Sequence, residues 1–376
     1  MERTLVQDAS QRIGECVSLR GFVQTVRNQK AVQFIVLRDH TGLIQIVVER
    51  SEANNKLNEW IAQLTRESTI QVTGVVVSNP NVKLGQLEVQ LQTLSVDSIS
   101  DATLPIDLFG RTETDVDKRL DWRFLDLRQP ENQLIFRVQT TVEMAMREFW
   151  ISNRFVEIHT PKIMGSPSEG GAELFTLEYF GQTASLAQSP QFYKQMAMAA
   201  GMERVFEIGP AFRADPSFTP RHSTEFTSVD MEMSWIESHH DIMDFEEAWL
   251  CHVLNTVKEK HGTEITETFG VEVVVPARPF PRATMAEAQQ ILREQGYVPP
   301  ADTKQGDIDP QGERLLCEYA RKEFGHEFFF VTDYPVDVRP FYHMRKDDNP
   351  TETKSFDLLW KWMEITTGAQ REHRYD

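Results

Sequence analysis

Residues 204–235, RVFEIGPAFRADPSFTPRHSTEFTSVDMEMSW, decide how this chain is read. Val205, Phe206 and Ile208 open a strand-like run that ends near Phe212. A loop rich in Asp, Pro, Ser and Thr follows, from Ala214 to Thr224. A second apolar/polar alternation then passes through Phe226, Val229, Met231, Met233 and Trp235. The pattern predicts two antiparallel strands joined by a long polar loop. Arg213 leaves the first strand, His222 and Glu225 lead into the second, and Phe226 adds an aromatic face. A fixed guanidinium can grip a phosphate with two parallel donors, and an aromatic ring can stack a purine. Spacing alone also admits an ordinary surface hairpin with an ion-paired arginine.

Upstream, residues 134–149 place Ile135, Val138, Val142, Ala145 and Phe149 at helical spacing, and FVEIHTP reads as a strand closed by Pro161. The run LAQSPQFYKQ gathers Gln188, Ser189, Gln191 and Lys194. It reads as a helix start with Ser189 as cap and Pro190 in the first turn, and equally as a receptor for a carboxylate. Downstream, helical spacing covers 241–258, 285–295 and 312–324. FFFVTDYP reads as a buried strand, and KSFDLLWKWMEI as an alternating strand carrying Asp357 and Glu364. Strict alternation puts those two carboxylates on opposite faces, so a bulge or bend is expected between them. His239, His240 and His252 do not converge on a metal-ligand spacing.

Residues 1–100 read as short strands at 16–23, 32–37, 44–48, 69–76 and 87–94, with helical spacing at 51–64 after the third. Five strands with a helix in that place predict a small OB-type barrel, a fold that binds oligonucleotides. Phe34 by itself reads as a core residue, since apolar strand positions are usually buried. Residues 101–130 read as a connector and 131–376 as a second, larger domain, which makes the whole chain α+β.

The 376 residues carry a formal net charge of −18. The first hundred hold 10 Lys+Arg against 10 Asp+Glu, and the rest hold 29 against 47. The neutral N-terminal part is therefore the less repulsive surface for a polyanion, and the acidic remainder argues against a general nucleic-acid binder. Three scattered cysteines form no CxxC pair, so neither a disulfide framework nor a zinc site is expected. No apolar run reaches transmembrane length, and MERTLVQDAS lacks the apolar core of a signal peptide. No membrane partner and a cytoplasmic location are expected.

Phe212-Arg213-Ala214-Asp215, the loop, Arg221-His222 and Glu225-Phe226 together resemble the second signature motif of the class II aminoacyl-tRNA synthetases, in the archaeal-like aspartyl branch. The resemblance runs from about Val17 to Asp376. It implies a catalytic domain built on an antiparallel sheet flanked by helices, ATP and Mg²⁺ as requirements, and L-aspartate and tRNA(Asp) as substrates, with tRNA(Asn) left open as a second acceptor. It also implies a homodimer through the helix and strand that end at Pro161. By resemblance, Arg213 and Asp215 are catalytic and join Arg221, His222, Glu225, Phe226, Asp357 and Glu364 around ATP, the last two holding the metal. Glu169, in a loop that closes over the pocket, Gln191, Lys194, Asp230 and Arg371 bind aspartate. Phe34, Gln45, Lys83 and Glu88 face the anticodon.

The chain departs from the family pattern in several places. Asp215 stands where glutamate is usual, Gln24 matches neither usual alternative, and Lys361-Trp362 replaces a small residue. The family's Gly-rich third motif, with its arginine against ATP, has no counterpart before Asp376. A catalytic domain incomplete at the C-terminus, a truncated product, is therefore expected, with almost no adenylation by these residues alone. An adenylate-forming relative that charges no tRNA, and a non-catalytic binding or dimerisation module, are the competing readings.

Overall fold

The computed structural model describes residues 2–108, 114–168, 173–215, 223–301 and 303–375. They form two compact units, Met1–Gln129 and Pro130–Asp376.

The first unit is a closed barrel. Strands β1 (Cys16–Asn28), β2 (Val32–Asp39), β3 (Gly42–Glu49), β4 (Thr69–Ser78) and β5 (Leu87–Ser98) close in the order β1-β2-β3-β5-β4, and α1 (Asn55–Gln63) lies between the third and fourth. Period-two alternation drives the closure. In β4 every second side chain from Ile70 to Val76 is buried, and Val17, Leu19, Ile35, Leu37, Ile46 and Val89 meet them inside. α1 turns Ile61 inward, while Trp60 stays 37% exposed beneath Lys56. Phe34 is half-buried and lies outside this core, contrary to what its apolar character alone predicts. Two short helices follow, α2 (Val116–Asp121) and α3 (Arg123–Asp126), tied together by Arg119 and Arg123 on the buried Asp126.

The second unit opens with α4 (Pro130–Ser152), whose first residue is a proline that gives up no intrahelical bond there. Next come β6 (Val156–Glu157), β7 (Ile163–Met164), β8 (Thr176–Tyr179), β9 (Gln182–Leu186), α5 (Gln191–Ala199), β10 (Arg204–Phe212), β11 (Glu225–Met233) and α6 (His239–Phe269). β12 (Arg282–Thr284), α7 (Met285–Glu294), α8 (Pro310–Phe324), β13 (Phe328–Thr332), β14 (Ser355–Trp360) and β15 (Met363–Ala369) complete it. The strands pair as β11-β10-β6, β12-β13-β14-β15 and β7-β9-β8. Most pairs are antiparallel; β6 with β10 and β12 with β13 are parallel.

β13 is buried at every position and apolar from Phe328 to Val331, because both of its faces are covered. Phe328 and Phe330 pack with Trp249 and Met243 of α6, while Phe329 and Val331 pack with Leu316 and Cys317 of α8. Capping sets the helix limits. α6 starts in a Ser238/Asp241 capping box and ends at Gly270 in the left-handed region, and α8 starts on Asp309 and ends at Gly325.

Three expectations are corrected. FVEIHTP is not a full strand: only Val156–Glu157 pairs, because Thr160 and Lys162 turn to the buried Glu207 carboxylate. KSFDLLWKWMEI is two strands, since Lys361, with φ +61°, reverses the chain between β14 and β15. Trp235 lies past the end of β11 and is 86% exposed.

Candidate active site

β10 and β11 pair in register from Arg204↔Met233 to Phe212↔Glu225, which makes the predicted hairpin. Its alternation differs from the sequence reading. Phe226, Ser228, Asp230 and Glu232 share one face, and Met231 and Met233 lie on the other, against the core. Gly209 and Ala211, opposite Ser228 and Phe226, leave that polar face open. Arg213 stands at its end, with its guanidinium 5.4 Å from the centre of the Phe226 ring. Asp215 accepts from the Glu173 backbone N–H at 3.2 Å, and Glu225 is exposed. Glu169, Arg221 and His222 lie outside the described residues.

α5 brings Gln191 and Lys194 to this face, three residues apart on one side of the helix. The helix starts at Gln191, with Pro190 rather than Ser189 at the cap position. Lys194, 3% exposed, donates to Asp230 at 2.9 Å and to the Met231 carbonyl at 3.2 Å, and lies 3.5 Å from Glu232. Burial opposes its charge, but Asp230 and Glu232 outweigh burial and hold the ammonium above the usual lysine value. Burial likewise opposes the Asp230 carboxylate, and Lys194, Ser228 and Arg213 hold it below the usual value.

Arg371 arrives from the chain beyond β15. It donates to Gln191 at 2.8 Å and stands 5.4 Å from the Tyr342 ring centre. Its buried Nε lies 3.5 Å from Glu232 yet makes no hydrogen bond. His343 pairs with Arg371 through the backbone, and burial together with Arg371 and Arg339 drives its imidazole down to about 3. Arg339 in turn donates to Asp357 at 2.6 Å and stacks 3.7 Å over Tyr334. One chain of neighbours thus links Arg213 to the carboxylates of β14 and β15.

Asp357 and Glu364 come together through the hairpin and a register irregularity at Leu358/Leu359. Glu364 lies opposite Leu359, which shares a face with Asp357, and both carboxylates act on Arg339 and Tyr334. Asp357 Oδ1 is buried and lacks a hydrogen bond. An all-oxygen pair with one orphaned oxygen suits a hard cation such as Mg²⁺, which takes one or two carboxylates and completes its shell with water and phosphate. Among the described residues no cluster of three or more His, Cys, Asp or Glu could hold a metal by itself.

On the barrel, Gln45 and Glu88 sit side by side across the β3/β5 pair and hydrogen-bond at 2.9 Å. Arg27 donates to Gln45 at 2.7 Å and stands 5.1 Å from the Phe34 ring centre, and Asn79 donates to Glu88 at 3.0 Å. Lys83 is exposed and makes no contact with this group among the described residues.

Sequence reasoning missed Glu232, Arg339, Tyr334, His343 and Arg27. Only Glu232 carried a signal, its place two residues after Asp230 in an alternating strand. It also missed Glu246 of α6, a buried carboxyl that accepts from Thr366 and that burial pushes up to about 7.

Residues 115–376 match the family model of class II tRNA synthetases (D, K and N), and residues 17–97 match the OB-fold nucleic acid binding domain. The chain is 42% identical over 363 residues to an aspartate–tRNA(Asp) ligase of Pyrococcus horikoshii, covering 96% of this chain and 82% of the relative. It is 45% identical over 368 residues to an aspartate–tRNA(Asp/Asn) ligase of Methanopyrus kandleri, covering 97% and 82%. Among solved structures, the asparaginyl-tRNA synthetase of Pyrococcus horikoshii with asparaginyl-adenylate superposes with a TM-score of 0.88 at 31% identity, over 99% of this chain and 84% of that one. The aspartyl-tRNA synthetase of Entamoeba histolytica gives 0.84 at 31%, over 100% and 79%.

Proposed function

The chain belongs to the class II tRNA synthetases of the D, K and N group, and from that premise we propose that it activates L-aspartate with ATP and joins it to tRNA(Asp). The observation that carries the choice of amino acid is the pairing of Lys194 and Arg371 around Gln191 and Glu232. Two cations suit the side-chain carboxylate of aspartate. An asparagine amide would turn N–H donors against donors, the kind of mismatch that discriminates strongly. Asp230 and Gln191 take the α-ammonium.

In the first step an oxygen of the aspartate α-carboxylate attacks the α-phosphorus of ATP, and pyrophosphate leaves. Arg213 stabilises charge developing on the phosphate, and Phe226 offers the adenine a face. Asp357 and Glu364 would hold Mg²⁺, which supplies charge neutralisation on the phosphates. In the second step a hydroxyl of the tRNA terminal ribose attacks the activated carbonyl, and AMP leaves. Phe34, Gln45 and Glu88 read the anticodon, with Arg27 and Asn79 orienting them. A homodimer through α4 is part of this reading, supported by Ile135, Phe136, Met144 and Ile151, each at least half exposed on that helix.

Isotope exchange between pyrophosphate and ATP tests the proposal. Exchange, at whatever absolute rate, should require aspartate and proceed at least about 100-fold less well with asparagine. Exchange supported equally by asparagine, or independent of amino acid, contradicts it.

A further inference from the structure

α8 presents Arg314, Glu318 and Arg321 on one face, four and three residues apart. The tip of the β14–β15 hairpin sets Lys361 and Trp362 beside them, and these side chains line one open surface groove. Trp362 is 56% exposed. Arg314 and Arg321 form no ion pair among the described residues, and Lys361 pairs loosely with Glu327 at 4.0 Å and lies 5.3 Å from the centre of the Trp360 ring. The groove thus sets Arg314, Arg321 and Lys361 against the one carboxylate of Glu318, a local cationic excess on a chain of net charge −18. The turn itself does not explain the residues at its tip. Lys361 sits at φ +61°, where glycine is least strained, yet lysine and tryptophan occupy the turn.

We propose that this groove is a second RNA contact, separate from the barrel, in which Arg314 and Arg321 hold backbone phosphates and Trp362 stacks an unpaired base. The chemistry is that of single-strand binding: cations along a groove and an exposed aromatic plane. Positions 314 and 321 lie about 10 Å apart along the helix axis, so the two arginines leave the helix two turns apart rather than from one point. That spacing fits a phosphate chain better than a single phosphate group. An acidic peptide would satisfy the cations and leave the indole without a partner. This inference rests on the reading that the protein charges tRNA.

Binding of a labelled tRNA(Asp) transcript, measured from about 50 to 200 mM salt, tests it. The variant Arg314→Glu/Arg321→Glu should weaken binding at least about ten-fold at the low-salt end and flatten the log–log salt dependence by about 1–2. Trp362→Ala should weaken it about five-fold or more. Arg314→Lys/Arg321→Lys should restore most of the affinity, and aspartate-dependent exchange should stay at the parent rate in all of them. Arg314→Gln/Arg321→Gln serves if charge reversal lowers the melting temperature, with a smaller loss expected in the same direction. Affinity and slope within two-fold of the parent would overturn the inference, as would a loss of exchange equal to the loss of binding. Phe34→Ala separates the two levels. If it weakens binding while the groove variants do not, the groove proposal falls and the tRNA reading stands. If the parent binds no RNA, both fall.

Discussion

Lys194 and Glu246 are both buried ionisable groups, and their surroundings treat them in opposite ways. Lys194 has Asp230 and Glu232 beside it, so its charge is favoured in the fold. Its stabilising contribution is complete below the ordinary lysine value of 10.5 and is lost only as pH rises through the higher folded value. Asp230 mirrors it: its contribution is present above 3.8 and is lost as pH falls through the lowered folded value. Glu246 has Glu247 and Asp357 nearby and one hydrogen bond from Thr366, and its folded value rises from 4.5 to about 7. Between those values the folded state keeps a proton that the unfolded state has lost, so stability falls as pH rises through that window and is flat above it. Ionising this carboxyl inside the fold costs roughly 3 kcal/mol. Glu246→Gln, which keeps an acceptor for Thr366, should remove that slope. Urea unfolding at about pH 5 and about pH 8, with a chelator present, should show the variant gaining stability at the higher pH only. An unchanged pH dependence would contradict the assignment.

At the scale of elements, the β14–β15 hairpin carries the candidate metal carboxylates and is closely packed against the core. A Cβ placed on Gly368 would meet the Phe356 ring at 2.4 Å, and that ring is buried against Phe330. Gly368→Ala should therefore destabilise the second unit by about 1–3 kcal/mol, the usual cost of overpacking a core. A denaturant midpoint within error of the parent would mean that the hairpin yields more easily than this contact implies. The same hairpin marks the limit of sequence reading. Alternation in KSFDLLWKWMEI is legible, and the seven-residue spacing of Asp357 and Glu364 calls for a bulge or bend, but a turn without glycine, proline or asparagine leaves no signal that places a full reversal at Lys361. Barrel strands, by contrast, were legible from burial on one side, and the β10–β11 hairpin from its long polar loop. The alternation through Phe226, Val229, Met231 and Met233 breaks after Phe226, because the odd spacing from Phe226 to Val229 puts them on opposite faces of β11. Arg339, Tyr334 and His343 reach the site from a segment between β13 and β14 with no regular pattern. Their roles come from tertiary placement alone.

At the scale of the molecule, the two units carry separable chemistry. The barrel holds the candidate anticodon group, and the larger unit holds the candidate aspartate and ATP groups. Phe34→Ala should weaken tRNA binding by about 1–3 kcal/mol and leave aspartate binding unchanged. Equal losses in both would make Phe34 a folding residue instead. The central claim is that Lys194 and Arg371 select aspartate, and calorimetric titration with L-aspartate and L-asparagine tests it most directly. Binding does not require the complete catalytic cycle. Aspartate should bind at least about 100-fold more tightly than asparagine, and Lys194→Met should remove most of that preference, since a charge-assisted contact contributes about 1.5–3 kcal/mol. Equal affinity for the two amino acids, or a preference for asparagine, would contradict the account.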